Sequence, residues 1–144
     1  LKSFINTSNS LTIMFKLVIN NKEKAYSKEL SEIESHSFLG KKVGETISGN
    51  TFGFKNYEFK ITGGSDKDGF PMRFDLTGAG RKKLLLAKGP GVIIRKAKGL
   101  RRRKMVRGNL IAVDIKQINI KVVKEGEKKL EEMFPKEEKK EENK

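Results

Sequence analysis

The segment YEFKITGG, residues 57–64, is the clearest strand in the chain, and the rest of the fold is interpreted outward from it. Its apolar side chains at Tyr57, Phe59 and Ile61 alternate with polar ones, which is the pattern of a strand with one buried face. Paired glycines release the backbone from the usual steric limits. We therefore expect the strand to end at Gly63-Gly64.

Further strand patterns lie on both sides of this segment. The polar link Asn20-Asn21-Lys22 suits a hairpin turn between the first two, because Asn tolerates a positive φ. The predicted strands cover residues 15–20, 24–28, 45–48, 81–87 and 109–124.

Two of these strands have unusual apolar patterns. Leu84-Leu85-Leu86 gives the strand at 81–87 a centre that looks buried on both faces. Between residues 109 and 124 the apolar positions change from odd to even numbers, so a straight strand would turn one set outward. We expect a turn or bulge near Lys116-Gln117.

Helical patterns are short. Ser31 and Glu34 fit a capping box, but Leu30 and Ile33 make too short an apolar face to decide between a helix and a loop. A short C-terminal helix is predicted over residues 127–134.

Short strands, 14 glycines and little helix predict a mostly β fold. The expected architecture is a small antiparallel β-barrel with long basic loops. We expect a barrel over residues 14–126, preceded by a disordered or non-native extension, 1–13, and followed by the short helix and a disordered charged tail, 135–144.

Positive charge dominates the chain, which has 144 residues and a formal net charge of +14. The segment from Arg81 to Arg107 holds twelve Lys or Arg in 27 positions and no acid. A mixed charge run usually marks a solvated face, whereas a run of one sign lies against solvent or a densely negative partner, and the absence of any acid favours the partner. Lys98 to Gly108 is interpreted as a basic loop bounded by glycines.

Nucleic acid is the favoured partner, because neutralising phosphates releases condensed counterions. An anionic membrane surface is the competitor, but no apolar run approaches the roughly 20 residues of a spanning helix. No pattern of a long basic amphipathic helix is seen, and the first residues do not show a charged region followed by an apolar one. A soluble cytosolic protein is expected. The predicted RNA-binding residues are Arg81, Lys82, Lys83, Lys88, Arg95, Lys96, Lys98, Arg101, Arg102, Arg103, Lys104 and Arg107.

Catalytic and metal-binding patterns are weak. His36 is the only histidine and the chain has no cysteine, so neither a nucleophile–base pair nor a histidine-rich metal site can be assembled. Asp66 and Asp68 superficially fit a calcium loop, but its first ligand would fall on Gly64. We expect no enzyme activity, cofactor, metal or small-molecule substrate. The remaining alternatives are a structural RNA-binding protein and a transient RNA assembly or processing factor.

One passage is distinctive beyond its composition. ITGGSDKDGFPM at residues 61–72, followed by Gly80-Arg81, LLLAKG at 84–89 and RKMVRG at 103–108, resembles the S6e family of archaeal and eukaryotic small-subunit ribosomal proteins. The resemblance covers roughly Phe38 to Phe134. The signature residues are Gly63, Gly64, Asp66, Gly69, Phe70, Pro71 and Met72.

This resemblance implies a β-barrel protein that binds small-subunit ribosomal RNA beside neighbouring ribosomal proteins, in the cytoplasm and without catalysis. The chain lacks the long basic C-terminal helix and phosphorylated Ser cluster of eukaryotic members, and it has no Ser after Ser65. Its mixed Lys and Glu tail is similar to that of a short archaeal member, so kinase regulation is not carried over.

Overall fold

The computed structural model describes residues 12–93 and 98–134, and its fold is mostly β. Seven strands and two short helices follow one another along the chain. They are β1 (Lys16–Asn21), β2 (Lys24–Glu29), α1 (Glu32–His36), β3 (Thr46–Ser48), β4 (Glu58–Asp66), β5 (Arg81–Leu86), β6 (Arg102–Arg107), β7 (Ile115–Lys124) and α2 (Leu130–Met133).

The strands form one five-stranded sheet in the order β2-β1-β7-β4-β3 and a separate two-stranded ribbon of β5 and β6. β1 and β7 run parallel, whereas the other neighbours are antiparallel. The predicted mostly β fold and short C-terminal helix are confirmed. The predicted barrel is not confirmed, because β2 and β3 remain unpaired edges of the sheet within the described part of the chain.

The central strand β4 extends further than the sequence predicts. Phe59 and Ile61 point into the core as expected, but the strand continues through Gly63-Gly64 and ends at Asp66. Gly64 lies so close to β7 that an added Cβ would stand 2.4 Å from the carbonyl oxygen of Gln117. Gly64 therefore permits close strand pairing here, and the prediction that the strand ends at Gly63-Gly64 is wrong.

The predicted irregularity near Lys116-Gln117 is confirmed. Ser65 pairs with Gln117 while the next residue, Asp66, pairs with Ile115, so Lys116 has no partner and forms a bulge. The extra residue lets Ile115 and Ile118 both face the core although their numbers differ in parity. Val113, before the strand, is half exposed.

The core lies on one side of the five-stranded sheet and is rich in aromatic rings. Phe52, in a single 3₁₀ turn at Gly49–Phe52, has its ring centroid 5.4–5.5 Å from those of Phe38, Phe54 and Phe59. All four side chains are at most 2% exposed. Aromatic packing thus joins the loops to the sheet and provides buried area that the short helices do not provide.

The short elements follow their local sequence. The capping box is present, since the Ser31 side chain accepts from the Glu34 N–H while the Glu34 carboxylate accepts from the Ser31 N–H. Ile33 nevertheless faces solvent, so α1 has no apolar face beyond its cap. In the β1–β2 turn the positive φ of 52° falls on Lys22, and not on an asparagine.

The two ends of the chain are only partly described. Residues 1–11 and 135–144 of the predicted extension and tail lie outside the described residues, but Ile13 is half-buried against the core. The C-terminal helix α2 is shorter than the predicted 127–134. Leu130 anchors it in the core, and Met133 remains largely at the surface.

The basic segment differs most from its prediction. Residues Arg102–Arg107 form strand β6 against β5, and the predicted basic loop is therefore wrong over this range. Leu85 is 56% exposed, so the centre of β5 is not buried on both faces. Leu86 and Val106 on one face of the ribbon and Arg107 on the other are buried, whereas the remaining side chains are more accessible.

Candidate nucleic-acid interface

The β5–β6 ribbon carries most of the predicted RNA-binding residues. Directly opposed residues share a face of the ribbon, so Leu86 and Val106, which face the protein, lie in the same set as their partners Arg102 and Lys82. The other face presents Lys83 with Met105, and Leu85 with Arg103. Exposed cations therefore lie on both faces of the ribbon.

Nine of the twelve predicted cations are exposed, and eight of them remain when the ion-paired Arg81 is set aside. Within residues 12–93 and 98–134 none of the eight forms an ion pair, and no acid lies in the ribbon or its described connection. They are Lys82, Lys83, Lys88, Lys98, Arg101, Arg102, Arg103 and Lys104. Arg95 and Lys96 lie outside the described residues.

The other two predicted cations bind a buried carboxylate at the base of the ribbon. Asp66 Oδ2 accepts from Arg81 Nε at 2.8 Å and from Arg107 Nη1 at 3.3 Å, although the Asp66 side chain is fully buried. Its Oδ1 accepts from the backbone N–H of Asp68 at 2.9 Å and of Phe70 at 3.0 Å. We call this cluster of Asp66, Arg81 and Arg107 the carboxylate hub.

The hub keeps Asp66 ionised. Burial acts to raise the pKa of this carboxyl, but the N–H of Phe70, the two guanidinium groups and the N–H of Asp68 favour the charged form. The net result is a pKa below the usual range of Asp. Arg107 is only 5% exposed and also donates to the carbonyl of Ala79 at 2.6 Å.

The hub assigns Arg81 and Arg107 an internal role that the sequence did not reveal. Their side chains clamp the ends of β5 and β6 to the end of β4, where Asp66 is the last residue. The eight cations without ion pairs therefore lie on a ribbon and its connection, and the base of that ribbon is fixed by charge-assisted hydrogen bonds. That arrangement suits a densely negative partner such as nucleic acid.

Comparison with known proteins agrees with this geometry. The model of the family described as ribosomal protein S6e matches residues 15–135. The chain belongs to the ribosomal protein S6e family.

Archaeal S6e proteins share nearly half of their residues with this chain. One from Methanosphaera stadtmanae, named small ribosomal subunit protein eS6, is 47% identical over 122 residues, which is 85% of this chain and 93% of that protein. The Archaeoglobus fulgidus protein of the same name is 48% identical over 83% of this chain and 95% of its own length. The likeness thus extends over the sheet and the ribbon together.

The passage at residues 63–72 supplies Asp66 to the hub and surrounds it. Phe70 lies beneath the guanidinium of Arg81, with 4.9 Å between Arg81 Cζ and the ring centroid, and Met72 is buried in the core. Gly69 adopts a φ of +85°, which allows the tight turn that brings the Phe70 N–H back to Asp66.

Arg73, which the sequence analysis missed, holds the turn that follows β5. Its Nε and Nη2 both donate at 2.9 Å to the Asp75 carboxylate, and its Nη1 lies 3.5 Å from the carbonyl of Pro90. The hydrogen bond to Asp75 raises the pKa of Arg73 above its ordinary value. The local signal was the spacing of Arg73 and Asp75, which suits a bidentate pair.

No helix in the described part of the chain is long and apolar enough to span a membrane.

Proposed function

We propose that this S6e protein is a structural constituent of the small ribosomal subunit and that its β5–β6 ribbon anchors it to ribosomal RNA. The observation that carries the proposal is the set of eight exposed cations on the ribbon and its connection that form no ion pair with a described residue, above a base that is fixed. The relatives named as small-subunit proteins support the same placement. The ribosome in the cytoplasm is then its location, with neighbouring ribosomal proteins as further partners.

The ribbon suits RNA for physical reasons. The major groove of an A-form helix is deep and narrow, so long cationic side chains on a slender element reach phosphates more easily than a recognition helix does. Arg101, Arg102 and Arg103 offer planar forks that pair with two phosphate oxygens or stack on an unpaired base. Binding also releases counterions from the RNA, which is why the absence of nearby acids favours affinity.

The test compares two variants with the same loss of charge. The ribbon variant replaces Arg101, Arg102, Arg103 and Lys104 with Gln, and it is measured as the full chain against small-subunit ribosomal RNA at fixed salt. The control variant replaces four exposed lysines beyond the opposite end of β4 and β7 with Gln. These control positions are Lys55, Lys124, Lys128 and Lys129.

If each ribbon cation contributes on the order of 1 kcal/mol, the ribbon variant binds about 10³-fold more weakly. The control variant should lose much less affinity, and both should melt close to the wild-type temperature because the substituted side chains are exposed. Equal losses in the two variants would show that net charge, and not the ribbon, determines binding.

Stable residence in the subunit distinguishes this role from that of a transient assembly factor. A structural constituent sediments with small subunits through a high-salt wash, whereas a transient factor appears in the light fractions of the gradient.

A further inference from the structure

An open cleft of about 600 Å³ lies beside the carboxylate hub. The binding of phosphates by the ribbon gives this cleft no role. Its charged lining is Lys67, Asp68, Arg81, Arg107 and Asp114, and the backbone of Ala79-Gly80 completes the wall. The volume falls within the range of small-ligand sites. Because Arg81 and Arg107 belong to β5 and β6, the cleft adjoins the base of the ribbon.

The cleft has balanced charge. Its three cations face Asp68 and Asp114, with the buried Asp66 carboxylate behind them. A free anion gains little from such a site, because two half-exposed carboxylates repel it. A ligand that offers hydrogen-bond donors to the carboxylates and acceptors to the cations matches the lining better.

Several polar groups of the cleft have unused hydrogen-bonding capacity. The Asp114 carboxylate is 52% exposed and lies 3.9 Å from Arg107 Nη2, which is an ion-pair contact beyond hydrogen-bond length. Lys67 is exposed and forms no ion pair with any residue that the structure describes. Arg107 Nε is buried and has no hydrogen-bond partner among the same residues.

We propose that this cleft binds one unpaired guanine base of an RNA, an inference that rests on the RNA-binding function proposed above. Asp114 accepts from guanine N1–H and N2–H₂, two adjacent donors that match the two oxygens of a carboxylate. Lys67 donates to O6 or N7, the acceptors on the other edge of the base.

Hydrogen-bond chemistry separates guanine from the other three bases. Adenine and cytosine each place one donor amine beside a ring-nitrogen acceptor, and uracil places one donor between two acceptors. None of them can donate twice to the same carboxylate, and each would turn an acceptor towards a negative oxygen. A carboxylate that only accepts hydrogen bonds therefore selects guanine.

Arg81 provides a stacking surface for the base. Phe70 covers one face of its guanidinium, while the Arg81 side chain remains 31% exposed at the cleft. Unpaired RNA bases stack readily on guanidinium planes held in this way. The hub thereby fixes the guanidinium plane of Arg81, on which the base stacks. It also fixes the base of the ribbon, whose cations bind the neighbouring phosphates.

The experiment measures fluorescence anisotropy of the full chain with labelled single-stranded RNA hexamers at fixed salt. The hexamers are oligouridylates whose third base is guanine, inosine, adenine or uracil. Wild type should bind the guanine hexamer about 5- to 150-fold more tightly than the adenine hexamer, the range expected for one bidentate pair. Inosine lacks the N2 amine, so its affinity should lie in between.

Variants locate the site. Asp114→Asn should remove the preference for guanine over adenine and leave the affinity for oligouridylate unchanged or slightly higher, and Lys67→Ala should reduce the preference. Glu58→Gln, at an exposed acid on the far end of β4, should preserve it. The ribbon variant should weaken binding of every hexamer while keeping the guanine-to-adenine ratio. Overall affinity therefore tests the ribbon proposal, and the ratio tests the guanine site.

Equal binding of the four hexamers by wild type would overturn the inference. A guanine preference that persists in Asp114→Asn would also overturn it, because the base would then be recognised elsewhere. If Asp114→Asn does not fold, the inosine hexamer and Lys67→Ala decide. Inosine bound as tightly as guanine, or an unchanged guanine-to-adenine ratio in Lys67→Ala, contradicts the guanine site; weaker inosine binding together with a reduced ratio supports it.

Discussion

Replacing Asp66 with Asn tests whether the carboxylate hub holds the ribbon on the sheet. The amide oxygen of Asn can still accept from the N–H groups of Asp68 and Phe70. The other oxygen, which accepts from Arg81 at 2.8 Å and Arg107 at 3.3 Å, becomes an amide donor that faces two cations. The substitution is almost isosteric, so its effect reports charge and hydrogen bonding and not a change in packing.

The expected loss is large because Arg107 is left buried without its main counter-charge. Its side chain is 5% exposed, and the remaining carboxylate nearby, Asp114, is 3.9 Å away and half solvated. Removing one partner of a buried pair costs about 3–5 kcal/mol. Since small domains unfold at about 5–15 kcal/mol in total, we expect a fall in melting temperature on the order of 10–25 °C.

The assay is thermal and urea unfolding at neutral pH, with Asp68→Asn as the matched control. Asp68 contacts the same Arg81, but its side chain is 51% exposed and solvent screens the pair, so the control should lose far less stability. If Asp66→Asn unfolds at the same urea concentration as Asp68→Asn, the hub does not hold the fold together. Arg81 and Arg107 would then remain open to the RNA-binding role first predicted for them.

Three further outcomes are expected. Because the pKa of Asp66 is lowered in the folded state, its ionisation stabilises the fold at pH values above the ordinary Asp pKa of roughly 3.9. This contribution is lost as the pH falls through the folded-state pKa. The free energy of unfolding, measured in urea at a series of acid pH values, should therefore fall less steeply with pH in Asp66→Asn than in wild type. Gly64→Ala should cost about 1–3 kcal/mol because its Cβ meets the Gln117 carbonyl at 2.4 Å, whereas Gly63→Ala, with nothing within 4 Å, should melt near wild type. Phe52→Ala should cost about 3–5 kcal/mol in urea unfolding through the cavity left among the core aromatic rings, and a loss below 1 kcal/mol would contradict that packing.

Local patterns sufficed where the deciding neighbours are close in sequence. Alternation identified β1 and β4, the polar turn after β1 indicated β2, and the change of parity identified the bulge at Lys116. The Ser31 and Glu34 side chains cap α1 across three residues, so their role is readable from spacing alone. In these cases each residue's preference and its tertiary environment agree.

The site was harder to predict because its contacts are distant in sequence. Asp66 is 15 residues from Arg81 and 41 from Arg107, and no spacing rule joins them. A run of cations without acids looks equally exposed throughout, so composition could not separate two hub arginines from eight surface cations. The same run of charge also made β6 hard to recognise. Met105-Val106 is its only apolar pair, and that is too short to indicate a strand among so many cations.

The salt dependence of RNA binding tests the central claim most directly. For six phosphate contacts on single-stranded segments, the logarithm of the affinity should fall with the logarithm of salt concentration at a slope of about −4 or steeper. Replacing Arg101, Arg102, Arg103 and Lys104 with Gln should make that slope shallower by about 3, since each lost contact removes roughly 0.7. The control variant at Lys55, Lys124, Lys128 and Lys129 should keep the wild-type slope. Parallel lines for wild type and the ribbon variant would contradict the assignment of the ribbon as the RNA anchor.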